Sequence, residues 1–283
     1  MRGNTCQRGF TLIELIMVIV IMGVIGGMVS VFMKSPIDAY IASGRRAALT
    51  DVADTAVRRM ARDIRKALPN SIRQSIAPAA ANNQCVEFIP TKTGGRYRAA
   101  GAGALSFTVA VTSFNMLGSN IALPLDQRIA PGDVIVVYNL GIPGVGGVDA
   151  YSGTNTAVVG GAAPFAETVA PIETTIPIPL PAVGTLFPME SGSNRFHVVP
   201  GAEQIVSYVC NGGQLRRTVR NLQPVAAACP AAGAVLANNV SACNFVYNGT
   251  DLQRNALVQL NMTFTDTGES VNLYHEVHVD NTP

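Results

Sequence analysis

From Phe10 to Met33 the chain runs through twenty-four positions with one charge among them, Glu14. At 1.5 Å per residue such a run spans about 36 Å as a helix, enough to cross a bilayer once. Beyond Pro36 the pattern changes from apolar all round to apolar on one side. Leu49, Val52, Ala53, Ala56, Val57, Met60 and Ile64 follow the i, i+3, i+4 spacing of a single stripe. Asp51, Asp54, Arg58, Arg62, Arg65 and Lys66 fall on the other side, with Asp54 and Arg58 spaced for an i,i+4 ion pair. The spacing predicts one long rod, greasy in its first half and one-sided in its second, with bends expected near Pro36 and Gly44 and a stop at Pro69.

Further along, the period drops toward two. QCVEFIP (from Gln84), ALSFTVAV (from Ala104), DVIVVYNL (from Asp133), RFHVV (from Arg195), EQIVSYVC (from Glu203), QLRRTVR (from Gln214), CNFVY (from Cys243), ALVQLNMTFT (from Ala256) and SVNLYHEVHV (from Ser270) read as strands. Asn211-Gly212-Gly213 and Asp266-Thr267-Gly268 are hairpin turns by composition. The stretch from Pro164 to Pro188 holds six prolines, which remove backbone donors, and reads as an exposed extended loop. A mostly antiparallel sheet packed on the helical stripe is the economical arrangement, an α+β fold.

Composition narrows the class. The 283 residues carry a formal net charge of +2, so neither nucleic acid nor an acidic partner is demanded. With 48% hydrophobic and 13% charged residues, 27 glycines and 17 prolines, the chain suits a membrane segment joined to a loop-rich exported domain. Arg2 and Arg8 precede the apolar run and Lys34, Arg45 and Arg46 follow it, so the positive-inside count is nearly balanced. No A-x-A site closes the apolar run, which argues against an ordinary secretory signal, and Cys6 has no apolar segment before it, which argues against a lipoprotein.

Gly9-Phe10-Thr11-Leu12-Ile13-Glu14 resembles the type IV prepilin signature shared by pilins and the pseudopilins of type II secretion. The resemblance implies a pilin-like fold. It also implies cleavage between Gly9 and Phe10 by a membrane-embedded prepilin peptidase and N-methylation of the new Phe10 amine. Residues 1–9 would be the leader, 10–33 a transmembrane helix, 34–69 its amphipathic continuation and 70–283 a β-rich periplasmic or extracellular domain. RRMARDIRKALPNSIR (58–73), CVEFIPTKTGGRYR (85–98), GDVIVVYNLGIPG (132–144) and HEVHVDNTP (275–283) resemble minor pilins of the MshO type, from the mannose-sensitive haemagglutinin (MSHA) pilus. The first of these stretches is also similar to J-type pseudopilins. One departure stands out: where many major pilins carry a proline this chain has Val31, and Pro36 follows five residues later.

On that resemblance the protein is expected to be a structural and assembly subunit with no cofactor and no enzymatic activity. It would sit in the inner membrane by a single pass, cytoplasmic N-terminus and periplasmic C-terminal domain, before entering a pilus. Its partners would be the prepilin peptidase, other major and minor pilins, the assembly platform and membrane lipid, with no nucleic acid. Glu14 then finds a reason: a carboxylate inside an apolar span is costly, and it can neutralise the Phe10 amine of an adjacent subunit and set axial register. A J-type pseudopilin and a tip adhesin or other binding module are the competing readings.

Removal of the leader takes Cys6 with it and leaves Cys85, Cys210, Cys229 and Cys243, an even set in an oxidising compartment, so two disulfides are expected. Three pairings are possible; the expected one joins Cys210 to Cys229 and Cys85 to Cys243. Other candidate chemistry is thin. His275 and His278 lack helical metal-site spacing and in a strand point to opposite faces. Gly144 to Asp149 lacks the Lys-Ser/Thr ending of a phosphate loop and reads as flexible. Asp266 to Glu269 offers too few oxygens for calcium. Arg58, Arg59, Arg62, Arg65 and Lys66 form a basic helix face, diluted by Asp51, Asp54 and Asp63 and read as solvated or turned toward neighbouring subunits.

Overall fold

The apolar run and the one-sided stripe form a single helix, α1 (Leu12–Ile64), in a computed structural model that describes residues 9–74, 84–144, 147–179, 186–223, 232–249 and 255–283. Its 53 residues extend roughly 80 Å at 1.5 Å each. Pro36 lies inside it, and none of its residues before Leu49 is fully buried. The buried stripe is Leu49, Ala53, Ala56, Val57, Met60, Ala61 and Ile64. Val52, expected in the stripe, is 43% exposed, and Ala61 is buried in addition. The helix also ends five residues before Pro69. Lys66 and Ala67 donate to the carbonyls of Asp63 and Ile64 three residues back, and Leu68 N–H turns to the Ile89 carbonyl at 2.7 Å. Backbone groups that would have extended the helix are satisfied by the last turn and by the chain at Ile89, before proline is reached.

Fourteen strands follow among the described residues. In chain order they are β1 (Arg73–Gln74), β2 (Gln84–Phe88), β3 (Thr93–Arg96), β4 (Ser113–Leu117), β5 (Val134–Val136), β6 (Thr156–Val158) and β7 (Glu173–Pro177). Then come β8 (Arg195–Val199), β9 (Ile205–Asn211), β10 (Gln214–Arg220), β11 (Ala234–Ala237), β12 (Val240–Asn248), β13 (Asn255–Asp266) and β14 (Glu269–Asp280). They build a five-stranded sheet in the order β1-β2-β9-β10-β11, a three-stranded sheet β12-β13-β14, a four-stranded sheet β3-β8-β5-β6 and the pair β4-β7. Every ladder between these described strands is antiparallel. One long apolar helix packed on a mostly antiparallel β domain is the α+β, pilin-like arrangement that the periodicity predicts.

The first two sheets bury the helix stripe. Met60 and Ile64 share a core with Val86, Phe88, Val206 and Tyr208 on one side and with Val258, Leu260, Met262 and Val277 on the other. Gln74 and Gln84 join the two sheets: Gln74 Nε2 donates to the Phe245 carbonyl and Phe245 N–H donates to Gln84 Oε1 at 2.9 Å. Between β2 and β9, residues 93–199 supply β3 to β8, which close a second core around Tyr97, Phe114, Ile135, Ile176 and Phe196. A third cluster, including Leu68, Ile89, Val136, Tyr151 and Ile205, lies where the two lobes meet.

The hairpins are as the composition predicts. Gly212-Gly213 and Thr267-Gly268 are two-residue loops with positive φ at both positions, the twist that matches paired strands. Three strand expectations require correction. Residues 104–111 are not a strand: Ser106 Oγ accepts from the N–H of Thr108 and of Val109 at 3.3 and 3.0 Å, a local turn that competes with a ladder. The strand begins later, at Ser113. In 133–140 only Val134–Val136 is extended strand, because Tyr138 adopts φ +52°. The proline-rich stretch is not simply an exposed loop, since β7 lies within it, pairs with β4 and buries Ile176 opposite Phe114. Its prolines flank the ladder or end it, where a missing N–H costs least.

Candidate functional site

The N-terminal junction is built around Thr11. With φ −80° and ψ 150° it stands outside the helix, and its Oγ1 accepts the Glu14 N–H at 3.4 Å. Gly9 and Phe10 precede it in exposed, non-helical backbone, Phe10 at 84% exposure. The bond between them therefore lies one residue ahead of the helix cap and is open to an enzyme without unwinding the helix. Glu14 occupies the third helical position, and its Oε2 lies 3.5 Å from the Thr11 hydroxyl. Thr-x-x-Glu is capping-box spacing; here Thr11 caps the Glu14 N–H while the Glu14 carboxylate accepts from the Thr11 hydroxyl, and the carboxylate also faces the positive end of the helix dipole. That local role was readable from the spacing and is additional to any role Glu14 has between subunits.

Above the cap, the apolar half of the helix has none of its residues buried by the described part of the protein. It is long and apolar enough to cross a membrane. Leu12, Ile13, Met22, Val31 and Phe32 all stand free. Such a surface needs lipid or other helices around it. The second half is tied to the β domain by polar as well as apolar contacts. Asp63, read from sequence as a residue diluting a basic face, accepts from Tyr208 Oη at 2.7 Å and from Arg217 Nε at 3.1 Å. Arg217 also spans to Glu203 at 2.7 Å. Burial, and then the Asp63 carboxylate, push the Tyr208 hydroxyl well above its ordinary range, so it stays a donor. At the other end Arg46 pairs with Glu269 at 2.8 Å, and Asp54 with Arg58 at 2.6 Å as the i,i+4 spacing predicts.

The cysteines are paired differently from the expectation. Cys210 is bonded to Cys243, with Cα atoms 6.5 Å apart, and neither to Cys229 nor through a Cys85–Cys243 link. Cys210 pairs in the sheet with Leu215 and Gln84, and Cys243 starts the inward-facing row of β12, so the bond staples the five-stranded sheet to the three-stranded one. Cys85 is disulfide-bonded as well. Cys229 and Cys6 lie outside the described residues.

The other candidates resolve into structure. His275 faces the helix from β14 and His278 faces away. Glu269 is held by Arg46, and Asp266 accepts from the Thr267 hydroxyl at 2.9 Å. No group of three metal-ligating side chains exists among the described residues. Asp149, at the end of the supposed flexible loop, is fully buried: Ser152 donates to it from both N–H and Oγ, at 3.1 and 2.7 Å, and Arg73 reaches it at 3.4 Å. The Arg73 guanidinium also lies 3.4 Å from the Tyr151 ring centre. Sequence reasoning missed this cluster, since no local pattern marks a loop aspartate as buried. Glu87, on β2, is a second buried carboxylate. Burial raises its pKa, and the paired Arg220 guanidinium works against that rise.

Residues 4–30 match the family model of the prokaryotic N-terminal methylation motif. No curated protein and no solved structure matches the chain. The match covers the junction, the Thr11 cap and most of the apolar half of the helix. It supports a type IV pilin-like or pseudopilin protein, a structural rather than catalytic class, anchored by its N-terminus and processed by a prepilin peptidase.

Proposed function

We propose that the chain is a minor pilin of MshO type, a structural and assembly subunit of an MSHA-like type IV pilus. The observation that carries the reading is the joining of three features in one rod. A peptide bond exposed ahead of a helix cap precedes an apolar half with no intramolecular cover, and the other half of the same helix is fixed into a β domain. A subunit of that shape can wait in a bilayer by the first half and pass into a fibre when other helices replace lipid around it. The resemblance of residues 85–98, 132–144 and 275–283 to MshO-type proteins favours a pilus over a secretion fibre, whereas residues 58–73 are similar to both classes.

In this reading residues 1–9 are removed, Phe10 becomes a methylated cationic terminus, and Glu14 meets the terminus of an adjacent subunit. The opposite charges attract strongly only when lipid or packed helices exclude water, so the pair forms on assembly. Cleavage leaves Phe10 ahead of the Thr11 cap, so the capping box survives processing. The test is co-expression with a prepilin peptidase and intact-mass analysis. The expected product begins at Phe10 and carries one extra methyl group, and Gly9→Leu blocks both changes. A product that retains residues 1–9 under conditions that process a control prepilin refutes the reading.

A further inference from the structure

The twelve-residue strand β14 is an edge of its sheet: it pairs with β13 over its whole length and with no other described strand. The Thr267-Gly268 loop fixes which backbone groups are used. Residues flanking a two-residue hairpin loop form a hydrogen-bonded pair, here Asp266 with Glu269, and bonding alternates from there. Residues 270, 272, 274, 276, 278 and 280 therefore aim their N–H and C=O groups away from β13, and no other described group bonds them. The protein treats its edges unequally. β12 is closed by the Gln74 and Gln84 side chains and by the Cys210–Cys243 bond, whereas β14 carries no proline and no lysine.

The open edge runs beside α1. Glu269 meets Arg46 at one end, and at the other Asn281 Oδ1 accepts from Asn70 N–H at 3.2 Å, just past the helix. Between them lies a cleft of about 600 Å³, lined by Arg58, Arg62 and Arg65 of α1 and by His275 of β14. Arg58 is shared with Asp54, but Arg62 and Arg65 make no ion pair among the described residues. Val271, Leu273 and His275, on the helix-facing side of β14, are only half-buried, so this flank of the core is incompletely covered.

We propose that an extended acidic segment of a different protein subunit adds as a strand to β14, with two carboxylates two residues apart seated on the arginine ladder. The dimensions agree: side chains on one face of a strand repeat every ~6.8 Å, and Arg58 to Arg62 and Arg62 to Arg65 rise ~6 and ~4.5 Å along the helix, differences that long arginine side chains span. Backbone bonding to the free edge supplies affinity and the arginines supply the choice of sequence. A second copy of this chain is a poor occupant. The residues its β14 would turn toward the helix are Glu269, Val271, Leu273, His275, Val277 and Val279, and the single acid among them, Glu269, is already held by Arg46, so a second β14 has no pair of carboxylates two residues apart to offer.

The test uses the full chain in detergent micelles and a synthetic peptide matching β14's 12 residues in length, alternating threonine and valine with glutamate at two successive helix-facing positions. Titrated by fluorescence anisotropy, it is expected to bind and to slow hydrogen exchange at the amides of Asn272, Tyr274, Glu276 and His278. Loss of two charge contacts in Arg62→Glu/Arg65→Glu should weaken binding about tenfold or more. Tyr274→Pro, which deletes an outward N–H without touching the β13 ladder, should abolish it. If the proline variant fails to fold, the charge-reversal pair still decides. Equal binding of a glutamine version of the peptide, no effect of charge reversal, or protection elsewhere than β14 each overturns the proposal. So does equal competition by single-stranded DNA, or dimerisation of the chain through β14 without peptide. None of these readings depends on processing at Gly9.

Discussion

Replacing Tyr208 by phenylalanine removes one hydroxyl from the seam between helix and sheet and leaves the ring in place. The hydroxyl is completely buried and donates to Asp63 Oδ2 at 2.7 Å, linking β9 to the last turn of α1. A hydrogen bond to a charged acceptor contributes about 1.5–3 kcal/mol. Asp63 keeps Arg217 as a second partner, and its side chain is 24% exposed, so part of the loss is recovered from arginine and water. The net cost should be about 1–2 kcal/mol, and in a domain of this size each kcal/mol lowers Tm by roughly 2–4 °C. Asp63→Ala should cost more, since it strands a buried hydroxyl, whereas Arg217 retains Glu203. A double-mutant cycle in urea, followed by tyrosine fluorescence because the chain has no tryptophan, isolates the pair. The expected coupling is about 1–2 kcal/mol. A coupling near zero would refute the idea that this bond pins the helix to the sheet.

Three further outcomes follow from the same structure. Glu14→Gln keeps a side chain able to complete the capping box but removes the charge, so membrane insertion and helix content should persist while incorporation into pili falls sharply; normal piliation by immunoblot of sheared fibres would show that Glu14 acts only as a cap. Cys210→Ser/Cys243→Ser should cost about 2–5 kcal/mol, and non-reducing peptide mapping of the parent protein should recover Cys210 linked to Cys243, a Cys210–Cys229 peptide being the contrary result. Glu87 is held above the ordinary carboxylate range, chiefly by burial. The folded state therefore binds this proton more tightly than the unfolded state, and the contribution is present at low pH and lost as pH rises from 4.5 through the folded pKa. Glu87→Gln should remove that fall from a plot of unfolding free energy against pH; an unchanged slope would mean that Arg220 cancels burial, and loss of a rise with pH would mean that Arg220 outweighs it.

Much of the architecture was legible because its causes are local. The span from Phe10 to Met33, the one-sided stripe from Leu49 and the two hairpin loops each follow from side-chain periodicity or from backbone freedom at one or two residues. The Thr11-to-Glu14 box was equally readable, as it needs only residues three apart. β4 and β7 were not legible, because Ser106 offers a local turn that displaces the strand start and because prolines mask a strand that tolerates them at its ends. Val52 and Ala61 exchanged expected roles for a related reason: a stripe wide enough to include both is trimmed by where the sheet lies.

What the sequence by itself determined is the rod: where it caps, which half is apolar all round, which half has one face to bury, and where the chain must turn. What only the tertiary structure decided is pairing over long distance. Cys210 chose Cys243 over Cys229, Asp63 turned inward to Tyr208 and Arg217, Asp149 was buried beneath Arg73, and β14 was left as the open edge beside three arginines. Helix periods and turn types are fixed by the conformational preferences of a few neighbouring residues. Partners separated by scores of residues are fixed by which surfaces the packed sheets bring within bonding distance, and no local pattern encodes that.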